Sequence, residues 1–159
     1  MAAKVGDQIP DVKLKVMGEK GPTDLSTKEF FAGKKVVLFA VPGAFTPTCS
    51  AAHLPGYVVN ADKIKAKGVD AIICVSVNDA FVMDAWGKGQ NAEELIMAAD
   101  GNGDFAKAMG LTMDGSGFGM GTRSQRYALV AEDGKITALN VEAPGKFEVS
   151  AAEAIMSAL

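Results

Sequence analysis

Apolar and polar residues alternate in Val12-Lys13-Leu14-Lys15-Val16, the two-residue period of a half-buried strand, and Gly18 to Gly21 with Pro22 marks a turn after it. Ser26-Thr27-Lys28-Glu29 spells a capping box, in which a hydroxyl and a carboxylate three residues apart satisfy orphan amide donors, so a short helix through Phe31 is predicted. From Lys35 to Val41 the pattern becomes an unbroken apolar run, which predicts a strand covered on both faces. A helix from Thr48 or Cys49 to Lys67 follows, with Gly68 as its C-cap and a kink at Pro55-Gly56.

Asp70 to Val77 predicts a second buried strand, and Asp79 to Gly87 has the helical spacing of Phe81, Val82, Ala85 and Trp86. Leu95 to Ala98 predicts a short strand, and Asp104 to Met109 a helix that Gly110 stops. Tyr127 to Ala131 and Ile136 to Val141 flank Glu132-Asp133-Gly134-Lys135, a hairpin signal with the favoured Asp-Gly turn. Ser150-Ala151-Ala152-Glu153 predicts the cap of a last helix ending at Leu159. Alternating strands and helices that close with a hairpin and a helix predict an α/β fold with a mixed central sheet flanked by helices, the thioredoxin-like arrangement. No repeat, linker or low-complexity tract interrupts the chain, so residues 1–159 are expected to form a single domain.

Composition narrows the partners. With 48% hydrophobic residues among 159, the chain can bury a substantial core, and a net charge of -3 with a pI near 5.2 argues against a nucleic-acid partner. No apolar run approaches the roughly 20 residues of a membrane span, and the first residues lack the apolar segment of a signal peptide. Two cysteines, Cys49 and Cys74, are too few for a disulfide-built scaffold. A cytoplasmic protein is expected, or an organellar one from which a transit segment has been removed.

The chemistry concentrates in Pro42-Gly43-Ala44-Phe45-Thr46-Pro47-Thr48-Cys49, where a strand turns through two prolines into a helix that begins at a cysteine. That placement delivers the sulfur to the positive end of a helix dipole. A free thiol of pKa about 8.5 is only about 3% ionised at pH 7, and bringing it to about 6 takes roughly 3.4 kcal/mol, whereas a helix end contributes roughly 0.3 to 2 kcal/mol. A permanent cation is therefore required nearby, and the chain has two arginines, Arg123 and Arg126. Arg126, which runs directly into the hairpin strand, is the better placed. Thr46 stands where a Cys-x-x-Cys enzyme would carry its first sulfur, so the site forms no local disulfide but offers a hydroxyl to a substrate oxygen. Pro42 and Pro47 fix the turn, and Pro42 is a candidate shield for the sulfur.

Other features point to blander roles. His53, four residues after Cys49, would share a helix face with it, which raises a Cys-His dyad beside a structural hydrogen bond or a subunit contact. Cys49, His53 and Cys74 lack the spacing of a metal site, and Gly115 to Gly121 does not match a nucleotide-binding loop, so no metal and no cofactor are expected. The glycine-dense stretch predicts a flexible surface or interface loop instead.

Pro42-x-x-x-Thr46-x-x-Cys49, extended as Val41 to Ser50 with His53-Leu54-Pro55-Gly56-Tyr57, resembles the active-site motif of the peroxiredoxins, type-II or type-5 in particular. Val75 to Met83 and Arg123-Ser124-Gln125-Arg126-Tyr127 also match, so the resemblance spans nearly the whole chain. It implies a thioredoxin fold and reduction of hydrogen peroxide or alkyl hydroperoxides. Cys49 would be the peroxidatic nucleophile, Thr46 and the N–H groups of Thr48 and Cys49 would hold the peroxide oxygens, Arg126 would stabilise the thiolate and Pro42 would pack over it. The relatives that form an internal disulfide carry a further cysteine near the last helix, where this chain has Gly145 to Ser150. That leaves Cys74, in an apolar strand pattern, as the one internal candidate for resolution. A one-cysteine cycle completed by glutathione, glutaredoxin or thioredoxin is the expectation. The resemblance also implies a homodimer, with Gly115 to Gly121 and the surroundings of His53 and Phe81 as contact regions. A thiol transferase and a non-enzymatic redox-sensing domain are the competing functions.

Overall fold

The computed structural model describes residues 2–159. Strands β1 (Lys13–Gly18), β2 (Gly21–Ser26), β3 (Lys35–Ala40), β4 (Ala71–Ser76), β5 (Ile96–Ala99), β8 (Tyr127–Glu132) and β9 (Lys135–Val141) form one sheet, in the order β2-β1-β5-β4-β3-β8-β9. The β3–β4 and β4–β5 pairs are parallel and the rest antiparallel, so the sheet is mixed. Helices α1 (Thr27–Phe31), α2 (Leu54–Ala66), α3 (Ala80–Gly89), α4 (Asp104–Met109) and α5 (Ala152–Met156) cover it, while β6 (Thr112–Asp114) and β7 (Thr122–Ser124) pair apart.

The continuous apolar runs sit in the middle of the sheet because both of their faces are buried. Val37, Phe39, Ile72 and Cys74 face α2, α3 and α5, and Val36, Leu38, Ile73 and Val75 face Phe31 of α1 with Phe105 and Met109 of α4. The predicted Asp-Gly turn is present, with Asp133 at φ 50 and Gly134 at φ 79, and the Ser26 hydroxyl accepts from the Glu29 N–H at 3.4 Å.

The structure adds to the local signals or departs from them in four places. The predicted turn at Gly18 to Gly21 leads into Gly21 to Ser26, an edge strand without a strand signal of its own, where Pro22 lacks a donor that an edge position does not need. The kink expected at Pro55 lies one turn earlier, as a π-helical turn over Cys49–His53 in which the Leu54 N–H donates to the Cys49 carbonyl; α2 then runs without a break to Ala66. Pro55 has no N–H for the Ala51 carbonyl and its ring would crowd that oxygen, so the widened turn absorbs the misfit. Ser150 does not cap α5: its N–H and hydroxyl both donate to Glu142, and the cap position falls to Ala151 without a side-chain bond. Gly115 to Gly121 is closed by Gly115 N–H to Gly121 O at 2.6 Å and Met120 N–H to Gly115 O at 3.0 Å, a tight connection between β6 and β7.

Candidate active site

Strand β3 runs antiparallel to β8 with Ala40 opposite Tyr127, so the loop that leaves β3 passes beside the residue that precedes β8. That loop is held by the Ala44 N–H donating to Asn78 Oδ1 at 2.9 Å. Phe45 takes a left-handed backbone (φ 65), uncommon for an aromatic residue, and turns the chain toward the helix. The Ser50 N–H donates to the Thr46 carbonyl at 2.9 Å, which makes Thr46 the N-cap and Pro47 the first helical residue. Thr48 and Cys49 therefore lie in the first turn, where amide donors have no partner within a helix.

Cys49 is fully buried, and the Arg126 guanidinium donates to it, Nη2 to Sγ at 3.2 Å. The other arm of the guanidinium, Nη1, lies 2.8 Å from His53 Nδ1. The Phe147 ring covers the pair, 5.7 Å from Arg126 Cζ and 5.0 Å from the imidazole. Arg123 lies elsewhere and donates to the carbonyls of Met120 and Val77 at 2.9 and 3.1 Å. The Thr46 hydroxyl donates to the Gly43 carbonyl at 2.6 Å, which fixes its proton and leaves its lone pairs available to an incoming donor. Pro42, Thr48 and Arg126, which contacts the sulfur, line a cleft of about 400 Å³ together with Met113, Pro144 and Lys146.

Cys74 lies across from Phe39 on β4, inside the core; burial pushes its thiol well above the ordinary range, with Cys49 adding to the effect. His53 is not at a surface available to a subunit, because it too is fully buried. Burial, and then the Arg126 charge, lower its pKa to about 3, so its ring is neutral at physiological pH. Among the described residues no cluster of His, Cys, Asp and Glu suited to a metal ion is found.

Glu142, Ser150, Phe147, Trp86 and Gln90 contribute to this site without a local sequence signal that places them there. Glu142, buried behind the cleft, accepts from the Glu148 N–H at 2.7 Å and from the Ser150 N–H and hydroxyl at 2.8 and 2.6 Å. Burial pushes its carboxyl up, but these donors outweigh that effect and hold it below the ordinary range. Ser150 in turn presents its carbonyl to the Tyr57 hydroxyl at 2.7 Å, and Phe147 packs against Arg126 and His53. Trp86 of α3 and Gln90, its C-cap, brace the π turn through Ser50, at 3.0 and 3.3 Å.

The sequence matches the Redoxin family over residues 4–156. It is 48% identical to peroxiredoxin-2D of Arabidopsis thaliana over 157 residues, 98% of this chain and 97% of that protein. The chain is a peroxiredoxin. Its fold is similar to reduced Prx3 of Vibrio vulnificus in complex with hydrogen peroxide, with a TM-score of 0.95, 60% identity and 98% of each chain covered. It is also similar to the Plasmodium falciparum antioxidant protein, a 1-Cys peroxiredoxin, with a TM-score of 0.87, 30% identity and 96% of each chain covered. The peroxiredoxin has the mixed sheet and flanking helices of the thioredoxin fold, and membership makes it a thiol-dependent peroxidase. Among its relatives are chloroplastic and mitochondrial forms, and none of its own described helices is long and apolar enough to cross a membrane.

Proposed function

We propose that this peroxiredoxin reduces hydrogen peroxide and alkyl hydroperoxides through Cys49 in a one-cysteine cycle, with Arg126, Thr46 and Pro42 completing the site. The observation that carries the reading is the Arg126 Nη2 contact to Cys49 Sγ at 3.2 Å. A guanidinium does not titrate, so it favours the anionic sulfur at every physiological pH. The thiolate attacks one peroxide oxygen, the S–O bond forms as the O–O bond breaks, and the departing alkoxide or hydroxide takes up a proton from water. The N–H groups of Thr48 and Cys49 and one Arg126 donor face the oxygens on which charge develops, and the Thr46 hydroxyl oxygen accepts a hydrogen bond from the peroxide O–H. Pro42, half-buried in the cleft lining, keeps water from the sulfur.

The product at Cys49 is a sulfenic acid. An external thiol then attacks its sulfur, water leaves, and a second thiol reduces the mixed disulfide. Two observations favour an external donor over Cys74: the core position of that thiol, and the absence of cysteine from Gly145 to Ser150. Glutathione with glutaredoxin is the donor we favour, with thioredoxin as the alternative. The similarity to a hydrogen peroxide complex supports that substrate, and the apolar cleft wall supports alkyl hydroperoxides. Exposed Phe45, Phe81 and Phe118 support a homodimer, and two free cysteines support a reducing compartment such as the cytoplasm.

Stopped-flow oxidation of the reduced protein by hydrogen peroxide, followed by turnover with each donor, tests the reading. Peroxide consumption should vanish in Cys49→Ser, persist in Cys74→Ala, and couple to glutathione oxidation. A wild-type rate in Cys49→Ser would overturn it.

A further inference from the structure

We infer that His53 is a positioning residue for peroxide reduction: its Nδ1 lone pair holds one arm of the Arg126 guanidinium so that the other is aimed at Cys49 Sγ, without a second charge that would cancel the cation. The inference rests on the reading of Arg126 as the cation that stabilises the sulfur.

The geometry fixes the direction of each hydrogen bond. A guanidinium only donates, so at 2.8 Å from Arg126 Nη1 the His53 Nδ1 must accept. The ring proton then sits on Nε2, which donates to the Ser150 carbonyl at 3.1 Å. Both ring nitrogens are thus engaged, and neither is left to take a proton from the sulfur, so the arrangement is not a Cys-His dyad. The Ser150 carbonyl is itself immobile, held by the Tyr57 hydroxyl and by the clasp of Ser150 on the Glu142 carboxylate. Phe39 and Phe147, each with its ring centroid 5.0 Å from the imidazole, fill its flanks.

Charge explains why a neutral ring suits this position. Every ion pair among the described residues uses a lysine, and no carboxylate pairs with Arg126. A carboxylate at the place of Nδ1 would orient the fork equally well but would share its charge, leaving less for the sulfur. A neutral acceptor satisfies the second arm and leaves the whole charge available. The titratable and charged groups that face His53 are Arg126 just before β8, Cys49 from the π turn, Tyr57 from α2 and Glu142 just after β9; burial and Arg126 outweigh the carboxylate and keep the ring neutral.

The test compares His53→Leu, which removes both bonds, with His53→Asn, whose side-chain oxygen can stand close to the place of Nδ1. All are made in the Cys74→Ala background. Stopped flow gives the second-order rate of Cys49 oxidation by hydrogen peroxide, and iodoacetamide gives the ratio of alkylation at pH 6 to that at pH 9. A lost hydrogen bond to a charged group corresponds to about tenfold to a hundredfold, so His53→Leu should slow oxidation by that factor and lower the alkylation ratio. His53→Asn should recover most of both. Wild-type values in folded His53→Leu, or His53→Asn no better than His53→Leu, would overturn the inference. If His53→Leu does not fold, His53→Gln replaces it, since its longer amide reaches the place of Nε2 rather than Nδ1; equal rates and ratios in the Asn and Gln variants would then overturn it. Arg126→Met, measured in parallel, separates the two readings. If it too retains wild-type values, the assignment of Arg126 fails; if it is slow while His53→Leu is not, only the role of His53 falls.

Discussion

Arg126 Nη2 stands 3.2 Å from Cys49 Sγ although 77 positions separate the two residues in the chain. The contact follows from strand register: Ala40 pairs with Tyr127, so the residue before β8 lies beside the loop that carries the chain from β3 to the cysteine. A slip of one residue would turn alternate side chains of β8 to the opposite face and point the guanidinium away.

Replacing Arg126 by lysine should lower kcat/KM for hydrogen peroxide by about tenfold to a hundredfold. An ammonium keeps the charge, but it cannot span Sγ and His53 Nδ1 with one planar fork, so at least one charge-assisted bond is lost. Steady-state peroxidase assays check this, with circular dichroism to establish that the fold is intact. A rate within twofold of wild type would show that charge alone suffices.

Thr46→Val should reduce the rate of Cys49 oxidation by about tenfold, and Thr46→Ser should restore most of it. The hydroxyl proton is committed to the Gly43 carbonyl, and what valine removes is the acceptor proposed for the peroxide proton. Single-turnover kinetics separate this effect from the reductant half-reaction, which both variants should leave unchanged.

Acid should destabilise the fold through His53 before most carboxylates titrate. Its pKa is about 3 in the folded chain against 6.5 for the free group, so between these values the unfolded chain binds a proton that the folded chain does not. Its contribution is complete above pH 6.5 and is lost as pH falls toward 3, the loss reaching roughly 2 to 3 kcal/mol by about pH 4.5. Glu142, with a depressed pKa, acts in the same direction at lower pH, being fully stabilising above 4.5 and losing that effect as pH falls through its folded value. Thermal melts from pH 7.5 to 4.5 should show Tm falling in the wild type and falling less in His53→Asn.

Cys74→Ala should keep peroxide turnover with an external thiol. One equivalent of peroxide should add the mass of one oxygen at Cys49 in both proteins, as expected when the second thiol is held in the core with its pKa raised. Mass spectrometry of the wild type showing loss of two hydrogens across Cys49 and Cys74 would refute the one-cysteine cycle.

Elements that depend on near neighbours are legible in the order of residues: the buried runs of β3 and β4, the Ser26 cap, the Asp133-Gly134 turn and the helix that Gly110 ends. The failures share one cause. Ser150 has the spacing of a capping box, yet Glu142, eight residues earlier on another element, offers its hydroxyl and N–H a better acceptor. Gly21 to Ser26 carries no strand signal of its own, and β1 supplies the partner that makes it one.

The sequence alone determined that a cysteine opens a helix at the end of a buried strand, because periodicity, prolines and caps act over a few residues. It also favoured Arg126 over Arg123 as the cation, but only the tertiary structure decided that His53 takes the other arm of the fork and that Glu142, Ser150 and Phe147 pack around them. Those meetings join residues from just before β8, the π turn and the segment after β9. Their distances are set by sheet register and by core packing, which no local pattern encodes.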